Sequence, residues 1–300
     1  MFCYHECMKA ATVSVIGRPS AGKSTLVNTI TGMKVSITSP TPQTTRNKIR
    51  GIYTDSRGQL VFTDTPGFHL SDKEINKRMQ DVTISSLSDS DLILYLLDGK
   101  RKPGKEEETI AELANKAGVP IVAVLNKADI LSDTEKEEGL SFLKEHFPNS
   151  AVLAASGMKD EGVDEILIEL FRLAPDGELM YSEETYTDQD LEFRISEIIR
   201  EKTISSLSEE MPHVVFVEIE DLEYDAENQH VWVRASINTE RDGQKGIIVG
   251  KGGENIKRIR KESFKEIKRI FPGSSLTLDL RVKSEPGWRK NKKTLDKLFR

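Results

Sequence analysis

The sequence predicts a doubly wound α/β domain with a mostly parallel sheet, followed by a smaller α+β domain. Three observations predict it. Apolar runs suited to buried strands alternate with helix-like segments from residue 11 to 173. The first run leads directly into Gly17-x4-Gly22-Lys23-Ser24 and a helical pattern, the strand–loop–helix context of a phosphate-binding loop. Beyond a polar stretch the pattern becomes a helix, two strands, a basic amphipathic helix and a third strand.

A chain of 300 residues accommodates this plan, with domains at 1–174 and 191–300 and a linker at 175–190. Hydrophobic residues make up 37% and charged residues 31%, so packed cores carry a very polar surface. The formal charge of −6 conceals an uneven distribution. Residues 183–240 hold 4 Lys and Arg against 16 acidic residues, whereas 241–300 hold 18 against 7. An acidic chain thus ends in a segment of net charge +11, an electrostatic footprint for a polyanion.

The longest apolar run, Leu92–Leu97, falls far short of the ~20 residues of a membrane span, and the N-terminus lacks a signal-peptide core. A cytoplasmic protein is expected. Cys3 and Cys7 flank His5, but three ligands without a fourth argue for free thiols rather than a metal site, and Met8 is an alternative start.

In the first domain, strands are expected at Val13–Ile16, Leu60–Phe62, Leu92–Leu97, Ile121–Leu125 and Val152–Ala155. Helices are expected at 24–31, 75–88, 105–117, 134–147 and 163–173. Ligands of such a sheet bind at the carboxyl ends of its strands. Gly17 and Gly22 allow the tight path in which Arg18, Pro19, Ser20 and Ala21 turn successive N–H groups to a β-phosphate. Lys23 supplies charge to the β- and γ-phosphates, Ser24 a hydroxyl to Mg²⁺, and Thr25 continues the loop into the helix.

The base is read further along. After the Ile121–Leu125 strand, "LNKAD" places Asn126, Lys127 and Asp129. Guanine presents two donors, N1–H and N2, that one carboxylate can accept; adenine would set an acceptor against Asp129. Asn126 is assigned to the other edge of the purine and Lys127 to its plane. Ser156, Gly157 and Met158 follow the last strand, where backbone amides can meet the guanine carbonyl. In "DTPG", Asp64 is expected to hold the metal through water, Thr65 and Pro66 follow, and the Gly67 amide senses the γ-phosphate. "PQTTR" is expected to be a mobile switch, with Thr45 before Thr44 as the second metal hydroxyl. Lys23, Thr45 and Gly67 thus act on the phosphoryl group, while Phe68 stands where a water-orienting glutamine is expected.

In the second domain, "LEFRISEIIREKTISSL" reads as a helix, and "VVFVEIE", "VWVRASI" and "SLTLDLRV" as strands. Between the last two strands lies Gly250-Lys251-Gly252-Gly253, a G-x-x-G loop before a helix. Ile256, Ile259, Ile267, Ile270 and Phe271 form that helix's core face, and Lys257, Arg258, Lys261, Lys265 and Lys268 its other faces. Glycines let the backbone approach phosphates, as in the KH module that clamps about four nucleotides of RNA. Trp288, among Arg289, Lys290, Lys292 and Lys293, can stack on a base or cap a sheet.

Taken together, "GRPSAGKSTL", "SITSPTPQTTR", "DTPG", "NKAD", "SEIIREK", "GKGGENIKRI" and "VKSEPGW" resemble the Era family, bacterial GTPases with a C-terminal KH domain. The resemblance spans nearly the whole chain. It implies GTP hydrolysis with Mg²⁺, binding of 16S ribosomal RNA near its 3′ end, a role in 30S subunit assembly, and GTP control of RNA engagement. A monomer is expected; peripheral contact with the inner membrane is reported for relatives, and nothing in this sequence establishes it. Ser20 stands where many relatives have an asparagine associated with K⁺ use, so K⁺ stimulation stays open. Gly157 replaces the usual alanine, and Lys251-Gly252 reverses a frequent order. Two other readings are an RNA-binding scaffold with incidental hydrolysis and a membrane-associated signalling GTPase.

Overall fold

The run Leu92–Asp98 (β4) is buried at every position, which requires cover on both faces. In the computed structural model, which describes residues 8–39, 44–68, 74–207 and 214–299, β4 lies inside a six-stranded sheet. The other strands are Lys9–Ile16 (β1), Ile49–Asp55 (β2), Gly58–Asp64 (β3), Ile121–Asn126 (β5) and Ala151–Ala154 (β6). Their order is β2-β3-β1-β4-β5-β6, parallel throughout except for the antiparallel β2–β3 pair. The helices are Lys23–Thr31 (α1), Glu74–Ser88 (α2), Lys105–Lys116 (α3), Asp133–His146 (α4) and Val163–Leu173 (α5).

The edge strand β2 has no counterpart in the sequence reading. Its sequence, "IRGIYTD", mixes Arg50 and Gly51 into a short apolar stretch, breaking both the continuous run and the alternation that mark a strand. Pairing with β3 over Ile49↔Asp64 to Asp55↔Gly58 supplies what local pattern does not.

The chain divides into two compact units, Met1–Thr38 with Thr45–Asp188, and Ser39–Thr44 with Gln189–Arg300. Much of the stretch read as a linker is tied to the first unit. The amides of Ala10 and Gly177 donate to the carbonyls of Pro175 and Met8. Gln59, fully buried, accepts from the Met180 and Tyr181 amides at 2.9 Å and donates to the Tyr181 carbonyl at 3.0 Å. The Ile52 amide donates to Tyr186, and the Thr187 hydroxyl to the Arg50 carbonyl. Lack of periodicity correctly excludes a helix here, but backbone groups still need partners, and Gln59 acts as a surrogate peptide.

The second unit contains Leu191–Ile204 (α6), Val215–Asp225 (β7), His230–Thr239 (β8), Asp242–Val249 (α7), Glu254–Ile270 (α8), Ser275–Ser284 (β9) and Lys292–Leu298 (α9). Strand order is β7-β8-β9, with β7–β8 antiparallel and β8–β9 parallel. Ile195 and Ile199 of α6, Ile248 of α7 and Ile259 and Ile267 of α8 join Val231, Val233, Ile237 and Leu278 in one core. Helices, not strands, therefore flank the G-x-x-G loop. The glycines Gly243 and Gly246 hide α7 from a propensity reading. Its first turn is held by the Arg241 amide donating to Gln244 Oε1 at 2.8 Å.

Candidate functional site

β1 ends in buried Ile16, and the loop Gly17–Gly22 carries the chain into α1. Gly22 adopts a left-handed conformation with φ 93°, and a Cβ there would lie 2.3 Å from the Asn126 amide nitrogen. No side chain is tolerated in so close a cradle. Lys23 opens α1 fully inside this loop, its ammonium donating to the carbonyls of Gly17 (3.1 Å) and Arg18 (3.0 Å). Burial lowers its pKa to about 8 against the opposing pull of Asp64. A polyphosphate beside it would restore the charged form.

Arg18 contributes backbone to the loop, while its guanidinium turns to α3. It donates to Glu107 at 2.7 Å and pairs with Glu106 at 2.5 Å. Ser20 keeps a positive φ of 67°, and the Ala21 amide donates to the Arg18 carbonyl.

Three separated segments meet beside Lys23. Ser24 Oγ donates to Asp64 Oδ2 at 2.7 Å, Thr45 Oγ1 does so at 3.3 Å, and the two hydroxyls lie 2.9 Å apart. Asp64 has no exposed surface, and its Oδ1 has no hydrogen-bond partner among the described residues. Burial pushes its carboxyl up; Lys23 first, then Ser24, Ser36 and Thr45, oppose this. Two hydroxyls and a buried carboxylate with an uncommitted oxygen form a hard oxygen donor set that fits Mg²⁺. Of the switch segment, Pro42 and Gln43 lie outside the described residues.

Thr65 is buried and donates to the Val15 carbonyl, and the Pro66 carbonyl accepts from Thr83. Past Gly67, the Phe68 amide donates to the Gly17 carbonyl at 3.3 Å, fastening "DTPG" to the phosphate loop. The Phe68 ring is buried with Ile16, Ile93, Tyr95 and Leu97, so it faces the core rather than a reacting water.

The base motif is tied to the phosphate loop by side-chain hydrogen bonds. Asn126 Nδ2 donates to the Ala21 carbonyl at 2.7 Å, and its Oδ1 accepts from the Gly157 amide at 3.1 Å. One N–H and the Oδ1 of its amide thus brace the two loops, and the second N–H of Nδ2 remains to donate to the purine edge. Lys127, at φ 66°, directs its ammonium to Asp98 at 2.8 Å. Asp129 stands exposed in the short turn Ala128–Ile130. Ser156 is buried, its hydroxyl accepting from the Lys159 amide, while Met158 is largely exposed. Thr29, not singled out in the sequence, donates to the Gly157 carbonyl at 2.6 Å and holds this loop on α1.

In the second unit, Gly250, Gly252 and Gly253 have φ of 72°, 60° and 77°, and Lys251–Gly253 forms a single tight turn before α8. Lys251, Lys257, Arg258 and Lys261 are exposed beside it. Trp288 departs from its base-stacking reading. It is fully buried, packs on Phe216 at 4.9 Å between ring centroids, and its Nε1 donates to the Val214 carbonyl at 3.1 Å. An indole so enclosed caps the sheet and offers no face to a base. The cations around it misled the composition reading.

Residues 12–127 match the family model described as 50S ribosome-binding GTPase, and residues 210–289 match the KH domain. GTPase Era of Treponema denticola is 45% identical over 294 residues, covering 97% of this chain and 99% of that protein. GTPase Era of Borreliella burgdorferi is 44% identical over 293 residues, covering 97% and 100%. The fold is similar to a solved single-residue variant of Aquifex aeolicus Era bound to GDP·AlF4⁻, with a TM-score of 0.91 at 29% identity, covering 96% and 98%. It is also similar to Era in complex with MgGDPNP and nucleotides 1506–1542 of 16S ribosomal RNA, with a TM-score of 0.92, 29% identity and the same coverage.

Proposed function

The chain belongs to the Era GTPase family, and from that premise we propose what its two glycine-rich loops do together. It is a GTPase that binds GTP, GDP and Mg²⁺, and an RNA-binding protein whose KH domain takes ribosomal RNA. The RNA is the 3′ end of 16S, engaged during 30S subunit assembly by a monomer in the cytoplasm, and the nucleotide state sets the affinity. The GTPase family matched by residues 12–127 is described as binding the 50S subunit. The solved relative with small-subunit RNA matches both units and carries more weight.

The observation that carries this reading is the meeting of Ser24, Thr45 and Asp64 within 2.7–3.3 Å, beside buried Lys23. Mg²⁺ held there supplies charge neutralisation to the β- and γ-phosphates. Lys23 leaves its two carbonyls to meet the same phosphates. Asp129 selects guanine, and the Asn126 brace keeps the base loop and phosphate loop in register. Thr45 sits at the metal group from the switch, so loss of the γ-phosphate releases that segment.

One observation favours a second reading. Phe68 is enclosed in the core, so no side chain at that position places the attacking water. A scaffold with incidental hydrolysis would share this feature. The test uses the full chain with a GTP analogue, an oligoribonucleotide of the 16S 3′ end, a scrambled oligomer and anionic vesicles. Preferential binding of the 16S oligomer supports the proposal. Equal binding of the scrambled oligomer, or binding to vesicles alone, would overturn it.

A further inference from the structure

Arg200 of α6 is buried, with 3% of its surface exposed. A guanidinium so enclosed needs a counter-charge and hydrogen-bond acceptors. Glu197, one turn earlier, supplies the charge: Arg200 Nε and Nη2 donate to its two carboxylate oxygens at 2.7 Å each. Such two-pronged pairing relies on the planar guanidinium fork. A further acceptor comes from far along the chain. Nη2 also donates to the Thr44 carbonyl at 2.5 Å, across 156 residues of sequence. Thr44 and Arg200 belong to the same compact unit, whereas Thr45 belongs to the other. The carbonyl held by Arg200 is therefore part of the peptide that enters Thr45, whose hydroxyl lies 2.9 Å from that of Ser24 and donates to Asp64. That peptide is planar, so the direction of the Thr44 carbonyl and the placement of Thr45 are not independent. Within the second unit, α6 carries the contact onward. Ile195 and Ile199 share a core with Ile259 and Ile267 of α8, and Lys202 pairs with Glu266 of α8 at 2.5 Å. Helix α8 begins at the G-x-x-G turn.

We propose that Arg200 is the positioning residue that couples the two ligands: it grips the Thr44 carbonyl while Thr45 is held at the metal group, and through α6 this favours the RNA-binding form of the second unit. Without the γ-phosphate, Thr45 leaves the metal group, the Thr44 peptide turns, and Arg200 keeps only its pair with Glu197. A hydrogen bond present in one nucleotide state and absent in the other is the differential contact that coupling requires. The inference rests on the proposed nucleotide control of RNA binding and names the side chain that carries it.

The test measures the affinity of the full chain for the 16S 3′-end oligomer with a non-hydrolysable GTP analogue and with GDP, in the wild type and two variants. Arg200→Ala removes the bond to Thr44 but leaves the buried Glu197 charge unpaired. The double variant Glu197→Gln/Arg200→Met has neither an isolated charge nor a donor for Thr44, and it decides the matter if the single variant does not fold. The wild-type ratio of about ten is expected to fall to about one or two in both, with the affinity in GDP staying near wild type. The reciprocal measurement moves with it: the oligomer tightens binding of the analogue about tenfold in the wild type and not in the variants. A merely structural defect weakens RNA binding with both nucleotides and leaves the ratio unchanged. An unchanged ratio in the double variant would overturn the proposal. Equal wild-type affinities with the two nucleotides would remove nucleotide control itself, and the proposal with it, which separates the two failures.

Discussion

Asp129 stands exposed after β5 with both carboxylate oxygens available to the guanine edge. Asp129→Asn turns one acceptor into a donor, which suits the extra carbonyl of xanthine. Affinity should shift from GTP toward XTP, with GTP weakened by about a hundredfold, the scale of a buried mismatched polar group. Competition binding with the two nucleotides checks this; unchanged GTP preference would remove Asp129 from base selection. Phe68 invites the opposite error. Because its ring is buried among apolar side chains, Phe68→Gln should cost about 2–4 kcal/mol of stability without raising turnover. A hundredfold gain in hydrolysis would contradict that reading. Residue-level legibility followed chemical rarity. A carboxylate in "NKAD" and a lysine between Gly22 and Ser24 have few alternative explanations. Thr29 is a common residue type whose role depends on which backbone carbonyl the fold brings beside it. Trp288 was ambiguous for the same reason, since its neighbours in sequence are cations and its neighbours in space are Phe216 and the Val214 carbonyl.

At the scale of elements, α8 separates its duties by face. Ile259 and Ile267 are buried, whereas Lys257, Arg258 and Lys261 are exposed behind the G-x-x-G turn. Replacing those three cations by alanine should weaken RNA binding and reduce the slope of log affinity against log salt by about 2, roughly 0.7 per lost phosphate contact. An unchanged slope would place the RNA elsewhere. Helix α4 begins with a reciprocal cap: Ser132 Oγ accepts from the Glu135 amide, and the Ser132 amide donates to Glu135. Lys100, then Ser132, holds the Glu135 carboxyl down to about 2 from 4.5. A depressed carboxyl stabilises above its unfolded pKa, and that contribution disappears as pH falls from about 4.5 to about 2. The melting-temperature gap between wild type and Glu135→Gln should therefore close over that window. Long helices and continuously apolar strands were legible from periodicity. β2 and α7 were not, because Gly51, Gly243 and Gly246 oppose local propensity and only pairing or core burial of Ile248 settles their state.

Over the whole molecule, charge and chemistry are divided along the chain. The first unit gathers a guanine-selecting carboxylate and an oxygen-rich metal group, and the basic surplus lies in residues 241–300. That division was visible in the sequence because each motif keeps its order and spacing. The attachment of residues 175–188 to the first unit was not, since it depends on Gln59 being buried against them. Nucleotide control of RNA binding requires a coupling free energy between the two ligands, typically about 1–3 kcal/mol. The most direct measurement is the affinity of the full chain for the 16S 3′-end oligomer with a non-hydrolysable GTP analogue and with GDP, at one salt concentration. Binding should be about tenfold tighter with the analogue. Equal affinities would contradict nucleotide control and leave an RNA-binding scaffold.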